Sequence, residues 1–117
     1  MRILKKRSDF LQAARGRRQA RKGFVLQGWQ RNDMDPPRMG FTCSKKVGNA
    51  VMRNRAKRRL REVARLQLSE HGQNGWDYVL IGRRDETAGR EFAILAQDLA
   101  DAFQAIHKHR RAEPPKS

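Results

Sequence analysis

The 117-residue chain has one cysteine, four prolines, one tyrosine and only 12 acidic residues. Each scarcity removes a class of protein. Cys43 alone forms no internal disulfide, and one thiol with three scattered histidines lacks zinc-ligand spacing, so a cytosolic protein without a structural metal is expected. No apolar run approaches the roughly 20 residues that span a bilayer. The start, Met1-Arg2-Ile3-Leu4-Lys5-Lys6-Arg7, carries charge with no apolar stretch behind it, so no signal peptide is expected either. The acids are scattered rather than clustered for metal binding. His107 and His109 fall near the end of a helix, where they read as exposed partners of its dipole rather than as acid–base catalysts.

What is abundant is positive charge. Lys and Arg number 27, giving a formal charge of +15, while the 38% hydrophobic content still suffices for one small core. A surplus of this size repels itself and is best explained by a polyanionic partner, so nucleic acid leads. The charge is also unevenly placed. Arg2 to Lys22 holds nine basic residues and one acid, Lys45 to Arg65 holds nine and one, and Glu70 to the end holds seven and eight. Two basic blocks and a balanced remainder are not what solubility alone requires.

There is no internal repeat. Loops are expected at 31–37, 71–75 and 83–86, and residues 112–117 read as a disordered tail after a domain spanning 1–111. Strand-forming runs cover Phe24 to Trp29, Arg38 to Ser44 and Asp77 to Gly82. A short helix is expected from a Ser8 cap to about Arg15. A second runs from about Ala50 to Ser69 with Asn49 as cap, and a third from about Ala88 to His107 with Thr87 as cap and Glu91 in its first turn. In the third, Phe92, Leu95, Leu99, Phe103 and Ile106 keep helical spacing and read as core. The order α-β-β-α-β-α predicts an α+β fold, a single-domain sandwich around a small sheet. Whether Trp29 and Trp76 are core or surface is left open by their context.

The second helix carries the chemistry. Met52, Ala56, Leu60, Val63 and Gln67 fall on one stripe, which is expected to pack on the sheet. Arg53, Lys57, Arg58, Arg61 and Arg65 cover a wide arc on the other side, with Asn54 inside it and Arg55 at its edge. Arg59 lies at the apolar boundary, where a long side chain snorkels. A solvated face normally alternates sign, yet only Glu62 is available here, and like charges at i,i+4 repel by a few tenths of a kcal/mol per pair. An anionic partner turns that cost into binding. Arginine outnumbers lysine by about two to one, which suits bidentate phosphate contacts and stacking on bases. Lys45 and Lys46, followed by Gly48 and Asn49, bring cations and backbone N–H groups to the positive end of the helix. No helix-turn-helix, zinc finger or basic zipper is present, which favours RNA over DNA.

The run Lys45-Lys46-Val47-Gly48-Asn49-Ala50-Val51-Met52-Arg53-Asn54-Arg55-Ala56-Lys57-Arg58-Arg59-Leu60-Arg61-Glu62 closely resembles the signature of the bacterial ribonuclease P protein subunit. Ser8-Asp9-Phe10, Phe24-Val25-Leu26, Gly40-Phe41-Thr42-Cys43-Ser44 and Asp77-Tyr78-Val79-Leu80-Ile81-Gly82-Arg83-Arg84 resemble its first-helix and strand motifs in the same order. The resemblance implies a left-handed β-α-β crossover, against the usual preference. It implies binding to a catalytic RNA subunit and to precursor tRNA, and removal of the tRNA 5′ leader to leave a 5′-phosphate. Catalysis would belong to the RNA and to Mg²⁺ held mainly by RNA phosphates. The polypeptide alone would be inactive and cytoplasmic, with no membrane or further protein partner required.

By the same resemblance, Arg53, Asn54, Arg55, Lys57, Arg58, Arg61 and Arg65 would face the catalytic RNA. Phe10, Arg17, Arg18, Gln27, Ser44, Lys45, Lys46 and Arg84 would contact the leader. Strand alternation would turn Val25, Gln27, Thr42 and Ser44 to a leader cleft and Phe24, Leu26, Phe41 and Cys43 to the core. Phe10 reads either as a residue packed on the sheet with Leu11 or as an aromatic floor for the leader. Ala14 and Gln27 stand where family members often carry further aromatics, which shifts weight to charge. Three rival classes remain: a ribosomal RNA-binding protein, a stand-alone Mg²⁺-dependent nuclease and a DNA-compacting protein.

Overall fold

The computed structural model describes residues 1–112, with side chains as far as residue 108. Five strands, β1 (Arg2–Ile3), β2 (Arg17–Arg21), β3 (Phe24–Gln30), β4 (Arg38–Thr42) and β5 (Trp76–Gly82), form one sheet in the order β1-β4-β5-β3-β2. Helices α1 (Arg7–Ala14), α2 (Ala50–His71), α3 (Glu86–Gly89) and α4 (Phe92–Ala112) complete the chain. The mixed α+β fold is as expected, and the three expected strands and three long helices are present. β1 and β2, both at sheet edges, were not expected. Their sequences, Arg-Ile and Arg-Arg-Gln-Ala-Arg, carry almost no strand signal and are held by pairing to Arg38–Met39 and to Phe24–Gly28.

β4 and β5 pair in parallel, Arg38 opposite Asp77 and Thr42 opposite Ile81, with α2 as the crossover between them. Side chains alternate across the sheet. Phe24, Leu26, Met39, Tyr78 and Leu80 pack against Leu60 and Val63 of α2 and Leu95, Leu99, Phe103 and Ile106 of α4, and all of them are essentially fully buried. Among the described residues the opposite face is covered by α1, where Leu4, Ala13 and Val79 form a smaller cluster with Phe10, Trp29 and Ile81 at its margin. A five-stranded sheet with one thickly and one thinly covered face leaves open surface beside α1.

Several local expectations are corrected. Ser8 lies inside α1, whose cap position is Lys6 with no side-chain hydrogen bond. Thr87 is not the cap of the last helix. It is buried in α3, donates to the Gly23 carbonyl at 2.6 Å and accepts from the Arg83 N–H at 2.7 Å. The last helix starts instead at Phe92. The stripe of α2 turns toward Ala56, Leu60, Val63, Ala64 and Leu68, leaving Met52 exposed. Asn49 does cap α2, its Oδ1 accepting from the Met52 N–H at 3.0 Å. His107 is not an exposed dipole partner: it is half-buried, its Nε2 lies 2.7 Å from the Tyr78 hydroxyl, and its ring stands edge-on to Trp76 at 4.5 Å. Trp76 is core and Trp29 half-buried. Of the expected tail, Ala112 belongs to α4, while residues 113–117 and the His109 side chain lie outside the described residues.

Candidate nucleic-acid interface

Between α1 and the open sheet face lies a cleft of about 470 Å³. Phe10 and Ala14 line it from α1, Gln27 from β3, Thr42 from β4, and Val79 and Ile81 from β5. Lys5 and Arg7 stand at its rim, and no acidic side chain lines it. Phe10 packs on the sheet and also lines the cleft. Its ring comes close to β4 because Gly40 has no side chain, since a Cβ there would sit 2.7 Å from the ring. Gln27 is 8% exposed, and among the described residues its amide has no hydrogen-bonding partner, so a donor and an acceptor both face the cleft.

The rest of the expected leader set divides. Arg18 lies in β2 opposite Gln27 and shares its sheet face. Arg17 is turned to the other face, where Nη1 donates to the Ile106 carbonyl at 3.1 Å and the guanidinium stands 5.5 Å over Trp76. It therefore ties β2 to α4 and does not reach the cleft. Val25 is buried and does not line the cleft. Ser44 caps a single 3-10 turn (Lys45–Val47), its Oγ accepting from the Lys46 N–H at 3.2 Å. That turn carries Lys45 and Lys46, both exposed, past the end of β4. Gly48 follows with φ at 144°, and a side chain there would also meet Met52.

Because β4 and β5 are parallel, this turn and Arg83–Arg84 emerge at the same end of the sheet. Arg84 is largely exposed, and its nearest carboxylate, Asp85, is 4.0 Å away and equally exposed. Arg83 and Asp85 share a hollow with Arg55 of the second turn of α2. Along α2, Asn54, Arg55, Arg58, Arg61 and Arg65 are exposed and Arg53 and Lys57 half-buried. Among the described residues none of these cations is ion-paired. The Arg61 guanidinium stands 5.5 Å over Phe41, whose edge lines the cleft, so the helix cations reach the cleft wall. Arg65 lies farther along, beside Pro36 and Pro37. Arg59 snorkels as expected, donating to the Arg90 carbonyl with its guanidinium 5.9 Å over Phe92. Burial pushes the Cys43 thiol up, in keeping with a small packed side chain.

Lys5, Arg7 and Arg83 were not singled out from sequence. Arg7 sits one turn before Phe10 in α1 and Lys5 just ahead of that helix, which was the available signal; Arg83 was visible only as the neighbour of Arg84. Among the described residues no three His, Cys, Asp or Glu side chains converge. No described helix is long and apolar enough to cross a membrane.

Comparison with known proteins agrees with this geometry. The sequence profile of the family described as Ribonuclease P matches residues 1–107. The chain is similar to the ribonuclease P protein component of Ruegeria pomeroyi, 57% identical over 107 residues, spanning 90% of this chain and 86% of the relative. It is similar to that of Gluconacetobacter diazotrophicus, 58% identical over 97 residues, spanning 82% and 83%. Among solved structures, the RNase P protein from Thermotoga maritima aligns with a TM-score of 0.76 at 27% identity, covering 91% of this chain and 98% of that one. The Staphylococcus aureus RNase P protein aligns with a TM-score of 0.67 at 26% identity, covering 94% and 95%.

Proposed function

The chain belongs to the ribonuclease P protein family, and from that premise we propose that it binds the catalytic RNA through α2 and the 5′ leader of precursor tRNA through the cleft beside α1. Membership makes it a component of the endoribonuclease that processes tRNA 5′ ends. The finer division of labour rests on one observation: the cations of α2 form an uncompensated array that meets, at Arg61 and Phe41, a cleft without an acidic group.

In this reading Arg53, Asn54, Arg55, Lys57, Arg58 and Arg61 contact the phosphates and grooves of the catalytic RNA, with Arg65 at the far end of the same face. Phe10 stacks on an unpaired leader base, and the Gln27 amide bonds a base edge or ribose. Lys45, Lys46 and Arg84 neutralise leader phosphates where they approach those of the catalytic RNA. Ser44 keeps the Lys45–Lys46 turn in place and retains its hydroxyl proton for donation. By screening phosphate against phosphate, these side chains lower the concentration of Mg²⁺ the ribonucleoprotein needs. Among the described residues the donor groups do not fit a resident metal, since neither the cleft nor any other cluster of them gathers carboxylates or imidazoles. The reading therefore gives the Mg²⁺ to RNA phosphates and no catalytic role to a side chain.

The test is cleavage of 5′-labelled precursor tRNA at low Mg²⁺ by nuclease-treated, repurified protein, with and without a bacterial ribonuclease P RNA. Correct cleavage in the mixture, well above RNA alone, with none by protein alone, is expected. Cleavage by protein alone would overturn the division of labour, and no stimulation of the RNA would overturn the subunit reading.

A further inference from the structure

A second hollow, of about 560 Å³, lies where α1 runs into β2 beside the end of β3. Its volume is in the range of small-molecule sites, roughly 300–1,000 Å³. Arg15, Arg18, Trp29 and Gln30 line it, together with Arg17, which is held by the Ile106 carbonyl, and Trp76 behind, and no acidic side chain is among its walls. Arg15 and Arg18 are exposed and, among the described residues, neither is ion-paired. Trp29 is half-buried at the margin of the Ala13–Val79 cluster and so is held in place by packing. Gly16 makes the arrangement possible: it lies so close to the Gly28 carbonyl that a Cβ would sit 2.1 Å from the oxygen. That approach brings the turn from α1 into β2, which carries Arg15 and Arg18, against β3.

The hollow borders the cleft on two sides. Ala14 lines the cleft and Arg15 the hollow; Gln27 lines the cleft and its register partner Arg18 the hollow. Ala14 is small and exposed, and Phe10 and Trp29 both stand at the margin of the Ala13–Val79 cluster. An indole in one hollow with two guanidinium groups that make no ion pair among the described residues suits a nucleotide, with its base against the ring and its phosphates on the arginines.

We propose that this hollow is a second subsite for single-stranded RNA, continuous with the cleft, in which Trp29 supplies stacking and Arg15 and Arg18 hold the flanking phosphates. The proposal rests on the leader-binding reading above and extends it. It also accounts for the absence of aromatic side chains at Ala14 and Gln27, because the next stacking surface lies one step further along the strand.

The test uses the full chain reconstituted with a ribonuclease P RNA and precursor tRNAs whose leaders lengthen one nucleotide at a time. With the unsubstituted protein, affinity rises as the leader enters the cleft and rises again as it reaches the hollow. Trp29→Leu removes the second rise, about fivefold or more. Arg15→Glu, on the exposed surface where folding is not at stake, weakens the same long-leader precursors and lowers their salt slope by about 0.7. Both variants bind short-leader precursors as the parent does. Equal weakening of short and long leaders, or no weakening of either, overturns the proposal. If the unsubstituted protein shows no dependence on leader length at all, the leader-binding reading fails and takes this subsite with it.

Discussion

The two ends of the parallel pair β4–β5 use the same kind of side chain for opposite purposes. At their start, arginines are bound to carboxylates. Asp77, 1% exposed, receives Arg38 in a two-pronged pair, Nε to Oδ1 at 2.8 Å and Nη2 to Oδ2 at 2.7 Å, and receives Arg31 as well. Arg31 also bonds Asp33 and the carbonyls of Asp35 and Pro36, pinning the loop before β4. Burial alone lowers the Arg31 guanidinium, but its bonds to Asp33 and Asp77 outweigh this and hold it above its ordinary value. At the other end, among the described residues, Lys45, Lys46, Arg53, Arg55, Arg83 and Arg84 make a single ion pair, between Arg84 and Asp85 at 4.0 Å. Cations with carboxylates are finished structure, whereas cations gathered without them are, in the function proposed above, an interface for an anion. Composition cannot separate the two, because both count equally toward +15.

The comparison can be broken most severely at Asp77. Asp77→Asn removes the buried carboxylate that Arg31 and Arg38 share, leaving Arg31 with Asp33 and Arg38 with Asp9 at 3.6 Å, and is expected to cost about 3 kcal/mol of stability, read from urea unfolding. RNA affinity of the fraction still folded should stay near that of the parent. A variant as stable as the parent would mean that Arg31 and Arg38 are not held by this carboxylate. At the other end, Phe10→Ala is expected to weaken precursor tRNA by about 1–3 kcal/mol through the absence of stacking, while mature tRNA, which has no leader, is bound unchanged. Equal losses for both RNAs would assign Phe10 to packing alone.

The smallest effect concerns the tied end of β5. The phenol of Tyr78 is raised first by burial, while its bond to the Gln73 N–H opposes that rise. A raised acid favours its neutral form in the folded state. Its contribution is therefore complete below the ordinary pKa of 10 and is lost as pH rises through the folded value. As the chain has one tyrosine, tyrosinate absorbance reports this residue alone. Folded protein should show no tyrosinate where urea-unfolded protein is half ionised, and coincident titrations would contradict the burial argument.

Much of this was legible in the sequence, for reasons that differ by element. The 3.6-residue period of Leu95, Leu99, Phe103 and Ile106 fixes the buried face of α4 directly, and Asn49 before an arginine-rich helix is a cap by its own chemistry. β2 was not legible, because Arg17–Arg21 is a strand only through its partner β3. The same pairing decides that Arg17 faces α4 while Arg18 faces the cleft side, a distinction that two adjacent arginines cannot carry in one dimension. Thr87 read as a helix cap because its hydroxyl suits that task, yet a long-range bond to Gly23 claims it. His107 read as a terminal residue because α4 continues beyond the point where its apolar period ends. On the candidate site, the signature run identified the cations of α2, but the hollow at Trp29 depends on Gly16 meeting Gly28, 12 positions apart in sequence and adjacent only in the fold.

The most direct test of the unpaired end is the salt dependence of affinity for a ribonuclease P RNA, measured for the parent and for Arg53→Ala combined with Lys57→Ala. Both side chains lie half-buried on α2 without ion pairs among the described residues, so unfolding free energy should change by about 1 kcal/mol or less, leaving the protein folded. Each duplex phosphate that these side chains no longer neutralise should lower the slope of log affinity against log salt by about 0.9, or roughly 1.8 for the pair. A flatter slope from protein that stays folded is the predicted result. An unchanged slope, or a slope that falls only because the protein unfolds, would contradict the assignment of α2 to the RNA.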